Sequence, residues 1–329
     1  MQFLELNLYQ FSLLGVKMPV VIILISMVLL FLLASFVAYR MAFWVQRDKD
    51  GNTVSLFMEG MSQNDRDIVD KCIEEMEKIP FEQVYTKAFD GKKLAGRYYH
   101  QKDGAPLQIQ IHGYKGSALR DFCGGNKLAR QMGFNTLVVD QRGHAKSGGS
   151  TTTFGIKERQ DVLAWIDWCN ARFGSDTPIV LAGISMGAST VLMATELDLP
   201  KNVVGVIADC PYSSPKDIVT KVCRDMKVPS VLALPLLMVG ARMFGNFNFG
   251  KQSVVKAVEN AKIPLLLIHG KEDDFVPAYM SEQIFEHYAH PDKTLKLFEG
   301  ASHGMSYIVD AKTYEQLTYE FVDKVLSNN

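Results

Sequence analysis

The tightest constraint on the fold lies at residues 179–187. The apolar run Ile179-Val180-Leu181-Ala182 leads into Gly183-Ile184-Ser185-Met186-Gly187, and the helix-compatible stretch from Ala188 to Thr195 follows at once. This spacing predicts a buried strand, a sharp turn and a helix. A Ser held at such a turn crowds the residues two positions to either side, so glycine is required at both. Ser185 is therefore the candidate nucleophile. At a helix N-terminus it also brings the Met186 backbone N–H toward any oxygen that gains negative charge during acyl transfer.

A serine hydroxyl is a weak nucleophile at neutral pH and needs a base and a group that orients the base. Two downstream segments offer them. Ile263 to Ile268 reads as a buried strand running into His269-Gly270-Lys271-Glu272-Asp273-Asp274, and Thr294 to Phe298 reads as the next strand, running into Glu299-Gly300-Ala301-Ser302-His303-Gly304. Both loops would lie at the carboxyl edge of a parallel sheet, where open α/β sheets keep their sites. The acid candidates are Asp273, its neighbour Asp274, and Asp209 at the end of the expected strand Val206-Ile207-Ala208. Of the seven histidines, His303 occupies the Gly-flanked loop after the last expected strand. His112, His144 and His269 read as loop-pinning groups, and His100, His287 and His290 as surface residues.

Five motifs follow one another in order: His112-Gly113-Tyr114, Asp140-Gln141-Arg142-Gly143-His144, the Ser185 elbow, the segment from His269 to Pro277, and His303. In this order, over about residues 82–327, the chain resembles the α/β-hydrolase family of esterases, lipases and serine aminopeptidase-like enzymes. The resemblance implies an α/β fold, with a mostly parallel sheet, helices on both faces and a helical cap insertion. It makes Ser185 the nucleophile, Asp273 the acid and His303 the general base, with the backbone N–H groups of Tyr114 and Met186 forming the oxyanion hole. The Tyr114 phenol is either a further donor or a ring packed over the loop. Ala145 departs from the pattern, since the family usually has a second Gly in that loop. The implied activity is acyl-enzyme hydrolysis of a small-molecule ester or lipid with an apolar acyl group. A serine peptidase using the same three residues and a non-catalytic binding protein on the same fold are the alternatives.

The N-terminus carries a second message. From Met18 to Tyr39 the chain runs 22 residues without a charge, against the ~20 that a helix needs to cross a bilayer. Tyr39, Phe43 and Trp44 fall where an interfacial aromatic belt is expected, beside Arg40 and Arg47. The stretch exceeds the ~7–15 apolar residues of a signal peptide and no A-x-A cleavage site follows, so it reads as a single-pass membrane anchor. Lys17 precedes the span and Arg40, Arg47 and Lys49 follow it. Positive charge therefore favours a cell-membrane protein with its catalytic domain on the cytoplasmic side, and five cysteines, an odd count of scattered thiols, favour a reducing compartment.

The expected organisation is an anchor at residues 1–45, a linker and amphipathic helix at 46–80, and an α/β-hydrolase domain at 81–329. In the second region, Asn64 to Lys78 forms a helix with Ile68, Cys72, Ile73 and Met76 on one stripe, and Phe81 to Tyr99 forms a hairpin about Asp90-Gly91. Residues 211–262 interrupt the strand–helix alternation and read as the cap. Its segment from Val231 to Val239 is too short to span a membrane and is broken by Pro235. The Leu and Met side chains there either line an acyl pocket or pack the cap onto the core. A net charge of −1 gives no footprint for nucleic acid. With no HExxH, CxxC, Walker loop or G-x-G-x-x-G, neither a metal nor a nucleotide cofactor is implied.

Overall fold

The computed structural model describes residues 18–49, 51, 53 and 62–328. Lys17 and much of the expected linker from Gln46 to Ser62 lie outside these residues. In chain order the elements are α1 (Met18–Phe43), α2 (Gln63–Glu77), β1 (Glu82–Lys87), β2 (Lys93–Tyr99), β3 (Leu107–Ile111), α3 (Ala118–Gln131), β4 (Asn135–Asp140), α4 (Glu158–Phe173), β5 (Ile179–Ile184), α5 (Met186–Ala194) and β6 (Val203–Asp209). There follow α6 (Pro215–Asp225), α7 (Ser230–Phe244), α8 (Val254–Val258), β7 (Leu265–Gly270), α9 (Tyr279–His287), β8 (Lys293–Phe298), α10 (Ser306–Val309) and α11 (Ala311–Ser327).

Two compact units result. One comprises α1 and residues 223–248; the other comprises residues 44–222 and 249–328 and holds the sheet. The sheet order is β1-β2-β4-β3-β5-β6-β7-β8. β2 pairs antiparallel with both β1 and β4, and every pairing from β4 through β8 is parallel. The central strands β3, β4, β6 and β7 are buried along their whole length. β6 and β7 carry near-continuous Val, Leu and Ile because a parallel strand under helices on both faces has no side in water, whereas β3 alternates Leu and Ile with Gln108 and Gln110, which hydrogen-bond to each other. Alternate residues Val138, Val180, Ala182, Leu266 and Ile268 build one apolar layer with Met76 of α2, Phe122 of α3, and Phe321 and Val325 of α11. The opposite face packs under α4, whose Trp165 and Ile166 are fully buried.

Two local expectations shift. Helix α2 is capped by Ser62, whose side chain accepts from the Asp65 N–H, and its buried stripe is Val69, Cys72, Ile73 and Met76. Ile68 points outward instead, because Val69 completes the i, i+3, i+4, i+7 spacing with Met76 and Ile68 does not. In the interrupting segment, α7 turns Leu237, Gly240 and Ala241 inward, and within its own unit this face meets α1. Phe244 lies 5.0 Å from Phe36 and 5.8 Å from Tyr39 between ring centroids. α1 itself is long and apolar enough to cross a membrane.

The loop after β4 is held by a buried ionic cluster. Arg142 donates to both carboxylate oxygens of Asp161 on α4, at 2.7 and 2.5 Å, and at 3.0 Å to Asp90 in the β1–β2 turn. One guanidinium thereby ties the edge hairpin to a helix on the sheet face. Burial acts to lower the Arg142 pKa, but the hydrogen bonds and charges of its carboxylate partners dominate and hold it protonated. Removing one member of such a cluster strands buried charge. Arg142→Met is expected to lower stability by about 3–5 kcal/mol, read by urea denaturation, and Asp161→Leu in the same chain should recover part of that loss. An Arg142→Met effect under roughly 1 kcal/mol would mean that the cluster does not hold the loop.

Candidate active site

Ser185 sits between β5 and α5 with φ +55° and ψ −117°, a conformation that costs a non-glycine residue of order 1–3 kcal/mol and persists only when its surroundings enforce it. The two flanking glycines show what enforces it. A Cβ on Gly183 would lie 2.4 Å from the Gly187 carbonyl carbon, and one on Gly187 would lie 1.8 Å from the Ile111 carbonyl oxygen. The turn is thus packed backbone against backbone, with the end of β3 directly beneath it. The Ser185 N–H donates to the Asp209 carbonyl at 2.8 Å, fixing the elbow to β6 as well.

The side chains picked from the sequence come together here. His303 Nε2 is 2.9 Å from Ser185 Oγ, and His303 Nδ1 is 2.6 Å from Asp273 Oδ2. Asp273 Oδ1 accepts from the N–H groups of Phe275 and Val276 at 2.9 and 2.8 Å, and Oδ2 also faces His269 Nε2 at 3.1 Å. Burial works to raise the pKa of this carboxyl, but the hydrogen bonds and charges of His269 and His303 outweigh it and hold the group well below the usual carboxylate range. The Phe275 ring stands edge-on to His303, 5.1 Å between centroids.

The two other acid candidates lie elsewhere in the network. Asp274 is exposed, and its backbone carbonyl accepts from Lys221. Asp209 is buried beneath the site, with Oδ1 lacking a hydrogen-bond partner. Burial pushes its carboxyl up to about 6, against the pull of His269 and His303.

The expected oxyanion donors flank Ser185. Met186 opens α5, so its N–H belongs to the first turn, which has no intrahelical acceptor. Its sulfur accepts from Thr152 Oγ1 at 3.2 Å. Tyr114 lies in the loop after β3, where a Cβ on the preceding Gly113 would come within 3.3 Å of Ser185 Cβ. The Tyr114 ring stacks 5.1 Å from Phe154 and burial raises its phenol pKa. These observations fit the packed ring.

The remaining histidines divide as expected into pinning and surface groups. His112 Nδ1 donates to the Gly113 carbonyl and its Nε2 accepts from the Gln141 N–H at 3.0 Å. His144 Nδ1 donates to the Arg142 carbonyl at 3.0 Å. His269 accepts from Ser281 Oγ at 2.6 Å and donates to the Val276 carbonyl at 2.7 Å.

Two further residues had no sequence signal pointing to this place. Asp121 accepts from the Gly113 N–H at 2.7 Å while pairing with Arg120, which anchors the loop that carries Tyr114. Cys210, buried and at φ +49°, has its sulfur within 4.8 Å of ligand atoms of Asp273 and His303. That grouping has metal-ligand spacing, but its carboxylate and imidazole are bonded to each other. Ala145, the departure noted above, stands at φ +37°, the left-handed region where glycine is favoured.

Comparisons with known proteins find the same fold. Residues 109–249 match the family described as alpha/beta hydrolase fold, and residues 238–307 match serine aminopeptidase, S33. The uncharacterized protein YqkD of Bacillus subtilis is 28% identical over 265 residues, which cover 80% of this chain and 85% of YqkD. Among solved structures, the Pyrococcus furiosus esterase Pf2001 superposes with a TM-score of 0.62 at 24% identity, covering 76% of this chain and 94% of the esterase. The chain belongs to the α/β-hydrolase superfamily. The mitochondrial palmitoyl-protein thioesterase ABHD10 of Homo sapiens is a further relative of this hydrolase, 24% identical over 65% of this chain and 70% of its own.

The buried Asp209 generates a pH test. A carboxyl whose folded pKa is raised adds stability below its unfolded value near 4, and that contribution is lost as pH rises through about 6. Between pH 4 and pH 7.5 the protein is expected to lose about 2 kcal/mol through this group alone. Asp209→Asn should not show that loss in paired denaturation curves. Parallel pH dependences of the two proteins would contradict the raised pKa of Asp209.

Proposed function

We propose that the protein is a membrane-anchored serine hydrolase that cleaves carboxylic esters through an acyl-enzyme. The observation that carries this reading is the unbroken hydrogen-bond series Ser185 Oγ, His303, Asp273, at 2.9 and 2.6 Å. In the proposed reaction Ser185 Oγ attacks the ester carbonyl while His303 Nε2 takes its proton. Asp273 keeps a proton on Nδ1 and steadies the imidazolium that forms. The N–H groups of Met186 and Tyr114 receive the oxyanion of the tetrahedral intermediate. Collapse of that intermediate breaks the bond to the leaving alcohol, which takes the proton back from His303. A water then enters, His303 accepts its proton as hydroxide adds to the acyl carbonyl, and collapse of the second tetrahedral intermediate releases the acid while Ser185 Oγ takes that proton back from His303. No step calls on a metal or an organic cofactor.

A small-molecule ester or lipid with an apolar acyl group is the favoured substrate class. The activity in the name of the palmitoyl-protein thioesterase relative, release of a long acyl chain, supports it. Helix α1 would hold the enzyme in the cell membrane as residues 1–45 of a three-part chain, followed by a connecting region at 46–80 and the catalytic domain at 81–329, with that domain on the cytoplasmic side. A peptidase is the second reading, favoured by the serine aminopeptidase match over residues 238–307. Initial rates on p-nitrophenyl esters of rising chain length, set against aminoacyl nitroanilides, separate the two.

Ser185→Ala should abolish fluorophosphonate labelling and lower kcat by several powers of ten. Asp273→Asn should cost on the order of 10⁴-fold by favouring the wrong imidazole tautomer, whereas Asp209→Asn and Asp274→Asn should stay within roughly tenfold of the parent. Labelling that persists in Ser185→Ala, or a larger loss at Asp209 or Asp274 than at Asp273, would remove the assignment.

A further inference from the structure

Helix α7 has two apolar faces, one packed on protein and one exposed. Leu237, Gly240 and Ala241 are buried, and with Phe244 they fall at i, i+3, i+4 and i+7, a single face. That face rests on the C-terminal half of α1, where burial begins: Ser35, Tyr39 and Phe43 are buried, while Val20 to Phe31 are all exposed. The crossing is very close. A Cβ on Gly240 would stand 2.4 Å from the Ser35 carbonyl oxygen and 2.9 Å from Tyr39 Cβ. The Ser35 hydroxyl is meanwhile satisfied within its own helix, donating to the Phe31 carbonyl at 2.9 Å. Small residues at a close crossing, with hydroxyls turned back onto the backbone, are what helix pairs in lipid use, because hydrocarbon gives no hydrophobic drive to hold them together.

The other face of α7 is apolar and uncovered. Val231 is 76% exposed, Leu232 65%, Met243 57% and Met238 39%. Between Lys227 and Arg242 the chain carries no charge for 14 residues. That is short of the ~20 needed to span a bilayer but ample for a helix lying within one leaflet. The contacts gather on the C-terminal half of α1, Gly240 at Ser35 and Tyr39, Phe244 at Phe36 and Tyr39, and Phe247 at Phe43, whose rings lie 5.0 Å apart. The exposed surface of α7 therefore continues the exposed surface of α1 at the Phe43 end of that helix, with a cation at each end of its uncharged stretch.

We propose that α7 is a second membrane-embedded element. It lies in the leaflet at the Phe43 end of α1, with acyl chains covering Val231, Leu232 and Met238, and with Lys227 and Arg242 reaching lipid phosphates. The occupant of this face is the bilayer because the neighbouring surface of α1 already requires one. The proposal rests on the reading of α1 as the anchor, and it adds that the protein is held by two apolar elements of different depth. Long cationic side chains at the ends of an apolar segment reach the headgroup layer without removing the segment from hydrocarbon.

The test uses the full-length chain reconstituted into phosphatidylcholine–phosphatidylglycerol vesicles, with a tryptophan reporter added at one position at a time. Leu232→Trp probes α7, Val28→Trp probes α1, and Lys312→Trp is a control on α11, each read as the difference from the parent with its native tryptophans. Phosphatidylcholine brominated at mid-chain should quench the added emission of Leu232→Trp and Val28→Trp at least roughly twofold, as expected for groups within the hydrocarbon layer, and should leave Lys312→Trp unchanged. Three outcomes overturn the proposal. Quenching at Val28→Trp with red-shifted, acrylamide-accessible emission at Leu232→Trp leaves the anchor intact and puts α7 in water. Blue-shifted emission at Leu232→Trp that bromine does not quench means that protein, such as a second copy, covers the face. Absence of quenching at both positions removes the anchor reading, and the proposal goes with it. Val231→Trp serves as an independent reporter on the same face.

Discussion

The site is organised by a contact between two stretches of backbone. Gly187 lies so near the carbonyl of Ile111 that no side chain fits between them, and this approach fixes the start of α5 against the end of β3. The Ser185 loop and the Tyr114 loop are the continuations of those two elements, so their separation is decided by a missing methyl group. The unusual backbone angles of Ser185 follow from the same packing. With Gly183 pressed on Gly187 from the other side, the turn has no relaxed alternative to adopt. The parallel neighbours β6 and β7 then carry Asp209 and the His269–Asp273 loop to the same sheet edge, which is how residues 185, 273 and 303 meet despite their distance in sequence.

Much of this was legible in the residues because the strongest signals are backbone requirements. Two glycines around a serine, between a strand and a helix, admit few conformations. The order of apolar strands then assigns the loops holding Asp273 and His303 to one edge. The three residues singled out by that reasoning are the ones joined by the hydrogen bonds. The choice among Asp273, Asp274 and Asp209 depended on family resemblance, and the structure supplies physical grounds that adjacency in sequence cannot. Only Asp273 meets both histidines and two backbone N–H groups, Asp274 turns to solvent, and Asp209 is buried deeply enough to raise its carboxyl to about 6.

What stayed illegible depends on partners that no local pattern encodes. The clamp of Asp121 on the Gly113 N–H joins a helix to a loop, and nothing in the spacing of either predicts it. The α2 stripe starts at Val69 and not Ile68, two adjacent apolar residues that only the i, i+3, i+4, i+7 spacing to Met76 tells apart. Helix α7 is the clearest case. Its composition fits a lining for a pocket, a pad against the core or a surface in lipid, and only the close crossing of Gly240 with Ser35 identifies the neighbour on its buried side.

The surroundings of Asp273 have a consequence for proton traffic. A carboxylate offers about four acceptor directions, and here three are taken outright, by two backbone N–H groups on Oδ1 and His303 on Oδ2, while the fourth faces the His269 Nε2–H that Oδ2 shares with the Val276 carbonyl. Such a group can neither swing nor admit a water, and a proton arriving on it would have to displace a donor already in place. In the proposed reaction the charge at residue 273 is therefore stationary. Each proton moved during turnover is confined to the side of the imidazole that faces Ser185, and the interior of the sheet remains electrically silent while the chemistry proceeds above it.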